Sequence, residues 1–245
     1  MLNFLKHFSS GQDKANIRRQ FPLSQTGKFR VPSHKLKFYN KDFKKLVKAE
    51  LEPKLQSIGF VGSDYHYYQE LSSHINFIFL GLSKYGGAIS IDSSIKFKPP
   101  YSLEYVDSLK TYPVNCQSWK RLSPDDKDNW WTFRDTVEEN KKVIEEMWAL
   151  IQIVALPYFK SFESLSDFFS KIKISDLRTD KFYDKYRLSG RKIFGYYSIM
   201  QYFLLAAQND KAIEVAKMGL DEYTYNDDKN YIDEFKKVIT TLDKK

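Results

Sequence analysis

Asp92 and Lys96 are the side chains whose types and spacing come nearest to chemistry, four residues apart in a segment that alternates polar and apolar. A metal-dependent nuclease core sets an acid on one strand and an acid-x-Lys triplet on the next. The carboxylates then hold the ion that stabilises the departing oxygen. Glu70 offers the first acid, but Ser94 stands where the triplet needs its carboxylate, so a ligand is missing. His66 and His74 would have to converge with a third ligand to bind zinc. Cys116 is the single cysteine, so the chain forms no internal disulfide, and a lone thiol is more often a core residue than a nucleophile. Asp125, Asp126 and Asp128 crowd one turn without the glycine and ligand number of a calcium loop. There is no Walker loop, no Gly-x-Ser-x-Gly elbow and no His-Glu-x-x-His. The sequence therefore calls for no catalytic residue, no metal and no cofactor.

The elements that position these residues read as α+β. Phe43, Leu46, Val47, Leu51, Leu55 and Ile58 recur at helical spacing, which predicts a helix over residues 41–58, capped by Asn40, stopped by Gly59 and kinked at Pro53. Strands are expected at residues 65–71, 75–82 and 88–97, with the second apolar on both faces and therefore central. In the third, Ile89, Ile91, Ile95 and Phe97 form a dry side, whereas Ser90, Asp92, Ser94 and Lys96 form a side expected to be wet. A fourth strand is expected over residues 114–122. Thr136 and Glu139 have capping-box spacing before a helix that Pro157 should stop. A short helix follows a Ser164 cap, and helices are expected over residues 192–207, 210–223 and 228–242. The uncharged run 193–209 carries too many polar groups for a membrane span and reads as a buried helix.

Charge is unevenly placed. Residues 1–50 hold twelve Lys and Arg against three acids, a net +9, and the remainder is close to neutral. Lys14, Arg18, Arg19, Lys28, Arg30, Lys35 and Lys37 make residues 1–40 a basic arm, continued by Lys44, Lys45 and Lys48 on the first helix. Such a segment suits nucleic acid, an anionic surface or an acidic protein. Trp130 and Trp131 are adjacent, so their side chains point in different directions, and an exposed one would be a binding hot spot.

Several phrases have a familiar order. Leu55-Gln-Ser-Ile-Gly-Phe60 precedes a tyrosine-rich strand. Leu82-Ser-Lys-Tyr-Gly-Gly-Ala-Ile-Ser-Ile-Asp92 joins two strands. Asp128-Asn-Trp-Trp131 precedes a long helix ending in Ala155-Leu-Pro-Tyr-Phe159. Over residues 40–175 the chain resembles the bacterial domain-of-unknown-function 4304 family. The resemblance implies a fold and no catalytic residues, with immunity-like or stress-associated roles by analogy.

These readings combine into one expectation. A basic arm (1–40) precedes an α+β domain (41–187), an antiparallel sheet of three to four strands backed by helices. A C-terminal helical hairpin (188–245) packs on it. The function expected is a cytoplasmic, non-catalytic binding protein. It would recognise another protein through Ser90, Asp92, Ser94 and Lys96, or through Trp130 and Trp131. Two alternatives stand: nucleic-acid or anionic-surface binding through the arm, and a metal-dependent hydrolase using Glu70, Asp92 and Lys96.

Overall fold

The computed structural model describes residues 40–84, 86–103, 111, 113–123, 129–179, 182–186, 188, 191–222 and 229–243. The anion-binding candidates of the arm and the acidic turn at Asp125, Asp126 and Asp128 lie outside them. The architecture is α+β, with a six-stranded antiparallel sheet and helices, two strands more than the upper expectation.

Helix α1 runs over residues 40–57, as α-helical Asn40–Leu46, a π-helical turn Val47–Leu51 and α-helical Glu52–Ser57. The expected disturbance at Pro53 takes this form. Proline has no N–H to donate and its ring crowds the carbonyl one turn back, and a wider turn relieves both. The Glu52 N–H then reaches the Val47 carbonyl. Gly59, at φ 87°, ends the helix in a Schellman motif. Its N–H bonds the Gln56 carbonyl, and the Phe60 N–H bonds that of Leu55.

Strands β1 (Val61–Ser63), β2 (His66–Glu70), β3 (His74–Leu82), β4 (Ala88–Phe97) and β5 (Ser118–Arg121) lie side by side in chain order, with β3 central as expected. β6 (Trp131–Thr132) adds to β4, with Ile89 opposite Trp131. Backbone bonds fix the registers. Leu71 to His74 and Leu80 to Tyr65 set β2 on β3, and Ser83 to Ala88 and Lys98 to Ser73 set β3 on β4. His66, Phe79 and Asp92 therefore share one row on one face, and Glu70, Ile75 and Lys96 another.

Helix α2 covers residues 137–160, as Val137–Leu150, a π-turn Ile151–Ala155 and Leu156–Lys160. The capping box at Thr136 and Glu139 is present. Pro157 does not stop the helix. The π-turn ahead of it repeats the solution at Pro53, and the chain stays helical. Among the described residues, the short α3 (Leu165–Ser170), capped by Ser164, is followed by α4 (Ile174–Leu177), α5 (Phe182–Tyr186), α6 (Lys192–Leu205), α7 (Asn209–Asp221) and α8 (Lys229–Leu242). Among the described residues no helix is long and apolar enough to cross a membrane.

Contacts divide the described chain into two units that interleave along the sequence, each taking part of β2, β3 and β4. The first holds residues up to Tyr67, Ile78–Ser93 and Arg121–Tyr158. Its buried residues include Phe43, Val47 and Leu51 of α1, Ile78, Leu80, Ile89 and Ile91 of the sheet, and Ile144 and Met147 of α2. Phe43 stacks on Phe133 at 4.3 Å, and Lys141 pairs with Glu50 across the helices. The second holds Tyr68–Phe77, Ser94–Lys120 and the residues from Phe159 on. Phe97 there meets Phe162 and Phe169, and α6 is buried nearly all round, as its apolar composition requires. Gly219 lets α7 approach α8, because a Cβ at that position would lie 2.5 Å from the Phe235 ring.

Candidate functional site

The side of β4 expected to face water is buried. Ser90 and Ser94 are fully covered, and Asp92 and Lys96 are 7% and 2% exposed. Ile89, Ile91, Ile95 and Phe97 on the other side are fully covered too. The dry side is as read, and the wet side is corrected: Ser90, Asp92, Ser94 and Lys96 do not form an open recognition surface. Alternation reports which residues share a face, not whether that face is roofed.

In the first unit the burial of Asp92 is offset by charge. The Leu122 N–H donates to the Ile91 carbonyl, which sets Arg121 beside Asp92. Arg121 Nε donates to Asp92 Oδ1 at 2.8 Å and its terminal nitrogen lies 3.4 Å from Oδ2. The Asp92 side chain is 10% exposed and that of Arg121 26%. The guanidinium lies over the Trp130 ring, 5.0 Å from its centroid, the geometry of a cation–π contact. Ser90 donates to the Gly81 carbonyl at 3.3 Å. Two sequence candidates, Asp92 and Trp130, are thus brought together by a residue the sequence reading passed over. Arg121 lay inside the expected fourth strand, but its neighbour across the sheet was not readable without the register.

Trp130 and Trp131 do point different ways. Trp130 is half-buried, while Trp131 is 3% exposed and anchors the core. The Trp131 side chain hydrogen-bonds Glu146 of α2, whose carboxyl burial pushes up from its ordinary range, partly countered by the Arg134 charge and that bond. Asn140, fully buried, clamps the chain after β6. It accepts from the Arg134 N–H and donates to the Arg134 and Thr136 carbonyls.

In the second unit Lys96 is buried among residues of β4, the segment before β5 and α6. Its Nζ donates to the Asn115 carbonyl at 2.8 Å and lies 5.3 Å from the centroid of the Phe194 ring on α6. Ser198 of α6 donates to the Tyr101 carbonyl at 2.7 Å. Gln117 caps the edge of β4 by accepting from the Phe97 N–H at 2.8 Å. Glu70 pairs with Lys98 at 2.7 Å. It stands two strands from Lys96 in their shared row, about 10 Å at normal strand spacing. Glu70, Asp92 and Lys96 are each held by other groups, and among the described residues no three His, Cys, Asp or Glu side chains are grouped to hold a metal.

The histidines do not converge. His66 stacks on Phe79 at 4.7 Å, on the face of Asp92, and burial lowers its pKa. His74 has the opposite parity on β3. It is fully covered, its Nδ1 lies 3.0 Å from Ser73 Oγ, and its Nε2 makes no hydrogen bond. Burial, aided by the Lys98 charge, pulls its pKa down to about 4. Cys116 is buried. Trp119, on β5, is 36% exposed and was not singled out by sequence, since a lone tryptophan carries no pattern.

No family model, curated protein or solved structure matches this chain.

Proposed function

We propose a non-catalytic, cytoplasmic binding protein that recognises another protein through the surface where Arg121 lies on Trp130. The observation that carries this reading is the braced guanidinium: Asp92 holds one edge while its plane rests on a half-buried indole. Arginine and tryptophan dominate interface hot spots because each buries a large rigid area while keeping polar edges. Fixing the guanidinium before a partner arrives lowers the entropy lost on binding. The resemblance of residues 40–175 to the domain-of-unknown-function 4304 family extends the reading to an immunity-like or stress-associated role.

The test compares tagged wild-type chain with Arg121→Ala and Trp130→Ala variants in pull-downs from native lysate. The expected result is a stoichiometric protein partner that the folded variants fail to hold. Recovery of no stoichiometric partner, or equal recovery by both variants, contradicts the reading.

A further inference from the structure

We propose that the outer row of α1, Lys41, Lys45 and Lys48, is a phosphate-contacting surface for nucleic acid. The three lysines follow spacings of four and three, so they line one face of the helix. All three are exposed. Among the described residues none of the three has an ion-pair or side-chain hydrogen-bond partner, whereas the adjacent Lys44 pairs with Asp64 at 2.8 Å. The row extends for about 10 Å at the rise of an α-helix, enough for lysines to follow consecutive backbone phosphates. It continues directly from residues 1–40, where eight Lys and Arg stand against one acid.

Three kinds of anionic partner compete for such a row, and the structure separates them. A membrane-surface helix must lay its apolar face into the lipid. Here Phe43, Val47, Leu51 and Leu55 are fully covered and Leu46 is 8% exposed, so that face is already occupied by the core. A protein partner needs aromatic or arginine anchors at the centre of its interface, where lysine is depleted. The exposed residues of α1 from Lys41 to Lys48 are lysines alone, with Asp42 half-buried beside them. Phosphate contacts need neither insertion nor a pocket. They require mobile cations at the surface, and they position a nucleic acid without reading its sequence. This inference does not depend on the Arg121 surface.

The full chain is titrated with a labelled random-sequence DNA duplex across a range of salt, beside Lys41→Ala, Lys45→Ala, Lys48→Ala triple-variant protein. Circular dichroism confirms that the variant is folded, as expected for exposed helical positions. The proposal expects binding whose logarithm falls linearly with the logarithm of salt, and a slope reduced by about 3 in the variant. Three results would overturn it: no binding at low salt, unchanged affinity and slope in the variant (a merely solvated row), or binding to phosphatidylserine vesicles with none to DNA.

Discussion

Strand β4 solves one problem twice, differently at each end. At Asp92, in the first unit, a buried carboxylate is matched by a guanidinium from the neighbouring strand, and the pair keeps some access to water. At Lys96, in the second unit, a buried amine has a backbone carbonyl and an aromatic face, with almost no access. Both side chains belong to the same alternating pattern and the same face. The difference teaches that one polar stripe on a strand can be covered to different degrees, with a guanidinium at Asp92 that keeps some access to water and an almost complete cover at Lys96. Of the two, the Asp92–Arg121 pair keeps the larger access to solvent.

The largest effect expected is acid sensitivity in the second unit. His74, at the start of β3 in the second unit, has no acceptor for a second proton at Nε2. Its folded pKa of about 4 lies below the ordinary 6.5. Between these values the unfolded chain binds the proton and the native one does not. Stability is therefore complete above pH 6.5, falls as pH drops through the window and levels off below 4, a loss of up to about 3 kcal/mol. Urea unfolding across this range should show the slope, and His74→Leu should flatten it. An unchanged slope in the variant would place the acid sensitivity elsewhere.

The Asp92 end should respond next. Asp92→Ala removes an acceptor from a mostly buried guanidinium. Breaking fully buried pairs costs about 3–5 kcal/mol, and the partial exposure of Arg121 reduces the expected loss to about 2 kcal/mol. Adding Arg121→Met should restore part of it in a double-mutant cycle. Strict additivity would mean that the two groups are not coupled. The smallest effect is expected at Lys96→Met, which keeps the packed stem and gives up the bond to the Asn115 carbonyl. Its stability should stay within about 1 kcal/mol of wild type. A larger loss there than at Asp92 would reverse the comparison.

Local signals in the sequence reached far into this fold. The capping box at Thr136, the glycine stop at Gly59, the limits of β4 and the central place of β3 all follow from a few neighbouring residues. What escaped depends on partners distant in sequence. β6 is two residues long, too short for any period, and exists because Trp131 meets Ile89. The helix past Pro157 continues because a π-turn absorbs the missing bond, and proline identity alone does not announce that. The covering of Lys96 involves Phe194, nearly a hundred residues later, on a helix whose apolar character was plain but whose seat was not. Of the site, Asp92 and Trp130 were legible as polar and aromatic candidates. Arg121, which joins them, required the β4–β5 register.

The account rests on the polar side of β4 being closed to solvent, and lysine labelling reads this directly. Native protein is treated with an acylating reagent and analysed by peptide mass spectrometry, with urea-unfolded protein as reference. Lys96 should stay unmodified while Lys41, Lys45 and Lys48 react fully, and all four should react alike once the chain is unfolded. Modification of Lys96 in the native protein at the rate of Lys41 would mean that β4 turns that side to water.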